Sequence, residues 1–261
     1  MAAMLERALD GGVLTLTLNR PDARNALTIE LIRDLTEEVV KAAADDSVRC
    51  IVLTGRGKAF CAGGDIKQML ERKGKAMETR ERLRGGLNPL ALALHDIEKP
   101  VIARLNGDAV GAGCCLALNG DIVVAAESAR IGLTFIRVGL VPDTGGTFNI
   151  PRLVGLQKAK LMHFTGDLIS AREAESIGLV TIVVPDAELD AKVSSLAARF
   201  ASMPTRTIGM AKRAFHRALS SDFAQALEFE AYAQGYCFTT EDHAEGVEAF
   251  LAKREPKFKG R

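Results

Sequence analysis

Two glycine-rich turns carry the residue types and spacing best suited to chemistry in this chain. The first runs Gly55-Arg-Gly-Lys-Ala-Phe-Cys-Ala-Gly-Gly-Asp-Ile66, and the second Asn106-Gly-Asp-Ala-Val-Gly-Ala-Gly-Cys-Cys115. Each follows an apolar run that reads as a strand and precedes one that reads as a helix. Glycine and alanine let a ligand approach the backbone closely. At a helix start, free N–H groups and the helix dipole together favour negative charge. Two such turns facing one another would present two N–H donors to a single developing oxyanion. Either turn alone also suits a tight strand–helix connection that binds nothing.

Other familiar chemistry lacks its residues. There is no G-x-x-x-x-G-K-[ST] phosphate loop, no G-x-G-x-x-G dinucleotide turn and no serine in a G-x-S-x-G elbow. His95, His163, His216 and His243 share no metal-ligand spacing with each other or with cysteine. No metal is expected, and His95 reads as a structural or surface residue. Cys114 and Cys115 are adjacent, while Cys50, Cys61 and Cys237 are scattered with no C-x-x-C pair. That pattern fits reduced thiols in a cytoplasmic protein better than a disulfide framework or a zinc site. The neighbours of Cys115 (Cys114, Leu116, Ala117) include no base, so it reads as a buried, inert thiol rather than a nucleophile.

The elements that must position these turns can be read from hydrophobic period. Val13–Leu18 alternates as a half-buried strand does. Thr28 is a candidate N-cap for a helix with Ile29, Ile32, Leu35, Val39 and Ala43 on one face. Cys50–Thr54, Val101–Ala103 and Ile122–Ala125 read as buried strands, and Ala112–Leu118 as the start of a buried helix. Such spacing favours an α/β arrangement. Residues 71–84 hold nine charged side chains and read as a solvated helix or mobile loop. From Gln157 the pattern turns helical, interrupted by a strand-like Leu179–Val184 and resuming over 189–201, 207–219 and 224–238. A boundary is expected near residue 195, dividing an α/β body (1–195) from a helical C-terminal module (196–261).

Composition narrows the classes. The 261 residues are 48% hydrophobic and 26% charged, which is ordinary for a globular chain with a sizeable core. Thirty-four basic residues against 33 acidic ones leave a charge of +1, so net charge gives no reason to expect nucleic-acid or membrane binding. The N-terminus lacks a basic start and long apolar run, and no apolar stretch approaches the roughly 18 residues of a membrane helix.

In order along the chain, Asn19-Arg-Pro, Phe60-Cys-Ala-Gly-Gly-Asp-Ile66, Lys99-Pro100 and Asn106-Gly through Gly113 resemble the crotonase superfamily of enoyl-CoA hydratases and isomerases. The likeness continues in Gly139-Leu-Val-Pro-Asp-Thr-Gly-Gly-Thr147, Leu153-Val-Gly155, Thr165–Ala171, Ala174–Val180 and Phe250–Arg254. It implies a spiral of ββα units followed by a helical trimerisation region, assembled as a homotrimer or dimer of trimers. It implies an acyl-CoA thioester as substrate, with coenzyme A as part of that substrate and no separate cofactor. The N–H groups of Gly64 and Ala112 would hold the thioester oxygen. Ala23, Arg24, Ala62, Asp65 and Ile66 would line the adenine and pantetheine path. Lys253, in a basic tail, would approach the phosphates, whether in its own subunit or a neighbour's.

The sequence also departs from that family. Its hydratases use two glutamates, and the corresponding positions here are Cys115 and Phe135. Neither can act as a carboxylate, and Phe135 would exclude water. Asp143 matches an aspartate that does the chemistry in several branches, among them dienoyl-CoA isomerases, epoxyphenylacetyl-CoA isomerases and aryl-CoA dehalogenases. The stretch Gly139–Arg152, with Phe148 and Pro151-Arg152, looks most like the epoxyphenylacetyl-CoA isomerase branch. The expectation is an acyl-CoA isomerase in which Asp143 moves a proton. A plain N-cap role for Asp143 is the alternative at that residue. Asp65 and Asp121 also read as structural, near a helix start and a strand start. Hydration, hydrolysis or dehalogenation with Asp143 as nucleophile, and acyl-CoA binding without catalysis, are the rival functions.

Overall fold

The computed structural model describes residues 3–261; of the N-terminal reading, Met1 and Ala2 lie outside it. The chain opens with β1 (Leu5–Asp10) and β2 (Val13–Leu18), an antiparallel hairpin. Its turn is Gly11-Gly12, with φ of 54° and 81°, the left-handed pair that tight hairpins need. Only β2 shows in the sequence as alternation; β1 is an edge strand with four of six residues exposed. Helix α1 (Ile29–Ala44) starts at Thr28, whose hydroxyl accepts the Leu31 N–H at 3.2 Å. Its buried stripe is Leu31, Ile32, Leu35, Val39 and Ala42, so the expected face is rotated and Ile29 and Ala43 point outward.

Next come β3 (Cys50–Gly55) and β4 (Ala59–Cys61), which bracket the first half of the glycine-rich turn. The charged stretch forms the short helices α2 (Ile66–Leu70) and α3 (Ala76–Arg82) and a π-turn over Leu83–Leu87, before α4 (Asn88–Asp96) returns to the core. The same sequence of events follows with β5 (Val101–Leu105), β6 (Asp108–Val110) and α5 (Ala112–Ala117). It recurs with β7 (Ile122–Ala126), β8 (Arg130–Gly132), α6 (Gly146–Val154) and α7 (Leu156–Thr165). Then β9 (Leu168–Ser170), α8 (Ala171–Ser176) and β10 (Ile182–Val184) close the body. The strand expected over 179–184 is thus only its last half, because Leu179 and Val180 fill a buried turn.

Two sheets result. The larger has order β1-β2-β3-β5-β7-β10 and is parallel beyond the hairpin. The smaller has order β4-β6-β8-β9, with only β8 and β9 antiparallel. Each turn of the chain lays one strand in each sheet and returns through helix, which is the expected spiral of ββα units. The main core fills the interior from Leu14 and Leu16 to Phe60, Leu116 and Ile131. Four helices end the chain: α9 (Leu189–Ser202), α10 (Thr205–Ala218), α11 (Phe223–Cys237) and α12 (Glu241–Leu251).

The expected boundary at residue 195 needs correction. It falls inside α9, whose Leu189, Val193, Ala197 and Ala201 pack on Cys50, Val52, Ile102 and Val124 of the large sheet. That helix therefore belongs to the body, which then extends through Ser202. Two buried lysines tie the layers together. Lys99 Nζ donates to the carbonyls of Ala42 and Asp45 at the end of α1. Lys212 on α10 pairs with Asp121 at 2.9 Å, and Asp121 also accepts the Val101 N–H at 2.7 Å. Asp121 is structural, as its place near a strand start suggested.

Candidate active site

The two glycine-rich turns do face one another. A Cβ on Gly63 would lie 2.8 Å from the Val110 carbonyl oxygen and 3.3 Å from the Ala112 nitrogen; one on Gly113 would lie 2.3 Å from the Cys61 carbonyl oxygen. Such approaches leave no room for a side chain at either position. Gly64 lies at the end of a short parallel bridge to Leu27 and Ala112 is the first residue of α5. Among the described residues, neither the Gly64 N–H nor the Ala112 N–H has a hydrogen-bond acceptor in the chain, whereas the Gly63, Asp65 and Gly111 N–H groups do. Two free donors on abutting turns are what a developing thioester oxyanion requires.

The first donor is held by a clamp between residues 20–27 and 59–65. The Ala62 N–H donates to the Arg24 carbonyl, Leu27 to Gly63, and Asp65 to Leu27, at 2.8 to 3.1 Å. Arg24 and Asn25 adopt left-handed backbone angles, φ 48° and 57°. Asn25 is fully buried; its Oδ1 accepts the Arg20 N–H and its Nδ2 donates to the Arg56 and Ala59 carbonyls. This brings Ala23 and Arg24 beside Ala62, Asp65 and Ile66, with Arg24 and Ile66 exposed. The Asp65 carboxylate caps α2 through the Lys67 and Gln68 N–H groups and pairs with Arg20 at 3.1 Å. Burial pushes it up, but the Gln68 N–H and Arg20 outweigh that and hold it below the usual carboxylate range. Met69 reaches back over Gly64, its methyl 2.3 Å from where a Cβ would stand, a flexible thioether end beside the donor.

The second donor opens α5, and the Asp143 loop packs on that helix. A Cβ on Gly146 would lie 2.4 Å from Cys115 Sγ. The loop leaves the short turn Thr134–Val138, where buried Phe135 accepts the Leu140 N–H at 3.0 Å. Cys115 and Asp143 are thus brought together. Asp143 does not cap α6: that helix begins at Gly146 behind Gly145 and has no side-chain cap. Instead its Oδ1 accepts the Thr144 hydroxyl at 2.9 Å. No cation pairs with it among the described residues. Burial raises the Asp143 carboxyl above its ordinary value, with the Thr144 hydroxyl opposing. Thr144 is 1% exposed with φ 51°, a left-handed angle that costs a β-branched residue about 1–3 kcal/mol.

The thiols around the site are buried. Burial pushes Cys61 and Cys114 up to about 12. Burial, with Cys114 and Asp143 adding to it, puts Cys115 well above its usual value. Lys253 is not brought to the others within this chain: it is exposed past the end of α12, with φ 52° and a bond only to the Phe250 carbonyl. The structural residues that the sequence did not signal are Asn119, Thr144 and Met69, each of a type common anywhere. His95 stacks on His216 at 3.9 Å and bonds Asp96, a structural arrangement. No group of three or more metal-ligand side chains occurs among the described residues. Two grooves, of about 680 and 530 Å³, lie against α9 and α10; Gly64, Ala112 and Asp143 line neither.

Comparison with known proteins assigns the family. Residues 8–261 match the family model described as enoyl-CoA hydratase/isomerase. The chain is 39% identical over 254 residues to the 1,2-epoxyphenylacetyl-CoA isomerase of Escherichia coli K12, covering 97% of each. It is 41% identical to the 2,3-dehydroadipyl-CoA hydratase of the same organism, covering 95% of this chain and 96% of the relative. The crystal structure of an enoyl-CoA hydratase from Bacillus anthracis superposes with a TM-score of 0.93 at 35% identity, covering 99% of this chain and 100% of that one. Two abutting glycine-rich turns with free N–H groups, a ββα spiral and these likenesses over nearly the whole chain lead to one conclusion: the protein is an enzyme of the enoyl-CoA hydratase/isomerase family, within the crotonase superfamily.

Proposed function

We propose that the protein is an acyl-CoA isomerase in which Asp143 carries the proton. The observation that carries this reading is the pairing of residues at the site. The two positions that family hydratases fill with glutamate hold a buried thiol and a buried phenyl ring, and the buried Asp143 carboxyl stands near the thiol. Asp143 takes a proton from a carbon of the acyl chain, and the electron pair moves onto the thioester oxygen. The Gly64 and Ala112 N–H groups stabilise that enolate, each worth roughly 2.7–4 kcal/mol. Asp143 then returns the proton at a second carbon, so no atoms are gained or lost. A raised carboxyl pKa suits a group that must both accept and release the proton.

Coenzyme A enters as part of the substrate, with Ala23, Arg24, Ala62 and Ile66 along its path; no separate cofactor is proposed. Helix α11 exposes Phe223, Leu227, Tyr232 and Tyr236, with only Ala233 buried, which supports assembly as a homotrimer or dimer of trimers. In such an assembly Lys253 reaches a neighbour's phosphates. The 2,3-dehydroadipyl-CoA hydratase likeness keeps hydration as the rival.

The test is incubation with 3-enoyl-, 2-enoyl- and aromatic-acyl-CoA esters in deuterium oxide, read by mass spectrometry. Deuterium exchange with no added water, abolished by Asp143→Asn while ester binding persists, is the expected result. Products carrying added water would make the enzyme a hydratase and remove Asp143 from this role.

A further inference from the structure

Asp143 sits on a loop that does not hold its own shape, since Thr144 and Gly145 follow it with φ of 51° and 79°. A buried amide just past the end of α5 fixes that loop. Asn119 Nδ2 donates to the Thr144 carbonyl at 2.9 Å and to the Cys115 carbonyl at 2.9 Å, using both of its hydrogens. Asn119 Oδ1 faces Asn149 Nδ2 at 3.4 Å, and Asn149 also donates to the Leu118 carbonyl at 3.2 Å. Buried Thr144 donates its hydroxyl to Asp143 Oδ1. Hydrogen bonds thus run from Cys115 through Asn119 and Thr144 to the carboxylate. Cys115 lies on the helix whose first residue, Ala112, supplies an oxyanion donor.

We propose that Asn119 is a positioning residue, which sets where the Asp143 carboxylate stands relative to the Ala112 N–H. This rests on the reading of Asp143 as the proton carrier. Only a side chain with two hydrogens on one short-armed nitrogen can bridge these two carbonyls. Serine, alanine and aspartate cannot. Proton transfer depends steeply on placement, whereas the coenzyme A portion of the substrate is held by residues 23–66. Loss of the bridge therefore acts on kcat and leaves KM alone.

The experiment compares Asn119→Ala, Asp143→Asn and the double variant in steady-state turnover, with thermal denaturation and acyl-CoA binding measured on each. Asn119→Asp is the second version; it keeps the volume but sets acceptors against the two carbonyls. Asn119→Ala is expected to lower kcat roughly 10²-fold with KM within about twofold. In the Asp143→Asn background the same change should alter the residual rate by less than about twofold, because the bridge acts through the carboxylate. If Asn119→Ala does not fold, Asn119→Asp takes its place in the cycle. Wild-type kcat in the folded Asn119 variants, with Asp143→Asn lowered about 10²-fold or more, overturns the positioning role alone. An equal further fall in the Asp143→Asn background overturns it too. Wild-type turnover in Asp143→Asn removes the proton carrier, and the positioning role with it.

Discussion

The turn at residues 61–66 and the loop at 139–146 both pack on α5, and each carries one aspartate, but they are built on opposite terms. In the first, the Ala62 and Asp65 N–H groups bond residues 24 and 27, and the Asp65 carboxylate holds a helix start and Arg20. In the second, the Asp143 carboxylate has a single neutral hydroxyl, and the residue that supplies it is strained. The contrast separates scaffold from chemistry. A carboxylate surrounded by N–H donors and a guanidinium is locked in its charged form and can only hold things in place. One that is desolvated without a cation is poised to gain and lose a proton. In the proposed function the reacting group is the poorly satisfied one.

Breaking the second region should cost turnover most of all. Asp143→Asn is expected to lower kcat by about 10²–10⁴, since that is what a positioned acid–base group typically contributes. Acyl-CoA binding measured by calorimetry should be nearly unchanged. A rate within tenfold of wild type would end the distinction drawn here.

Breaking the first region should instead cost stability. Asp65→Ala removes a helix cap and strands Arg20, a loss of about 2 kcal/mol in urea denaturation. If its stability matches wild type, residues 61–66 are not the rigid half of the site.

Protonation sharpens the comparison further. Asp65 is held below its usual range, so its stabilisation is present above about pH 4 and is lost as pH falls through its folded value. Asp143 is pushed above it, so what it contributes is present below about pH 4 and lost as pH rises through its folded value. At pH 7, Asp65→Asn should therefore lower the melting temperature. Asp143→Asn should raise it, by roughly 1 kcal/mol of stability. Both differences should shrink toward pH 3, and melting curves across pH 3–8 would show two like-signed effects if the assignment is wrong.

The smallest expected effect concerns the thiols between the two regions. Cys50, Cys61, Cys114 and Cys115 are buried, and burial raises each of them, so a native-state thiol reagent should modify no more than Cys237 quickly. Rapid labelling of Cys115 would mean that the cleft beside Asp143 is open and wet.

Much of this was legible before any coordinates. The glycine turns announced two free N–H donors, because Gly63 and Gly113 sit where another backbone comes too close for a Cβ. Thr28 and the apolar period marked α1, and the strands of the large sheet read as apolar runs, since helix and strand periods are local properties. Strand β1 was missed because it has no buried face of its own and forms only by pairing with β2. The body was cut at 195 because nothing in the composition of α9 reveals that its stripe lies on Cys50 and Ile102, roughly a hundred residues away and more.

What the sequence determined by itself, then, is the set of local elements, the residues able to donate or carry charge, and the absence of glutamate at positions 115 and 135. The tertiary structure decided which of those residues meet. It set Gly63 against Ala112, engaged Asp65 with Arg20 and left Asp143 without a cation. It also made Asn119 the bridge between α5 and the Asp143 loop. The physical reason is that propensity and period act over a few residues, whereas desolvation and hydrogen-bond partnership depend on groups brought together from distant parts of the chain.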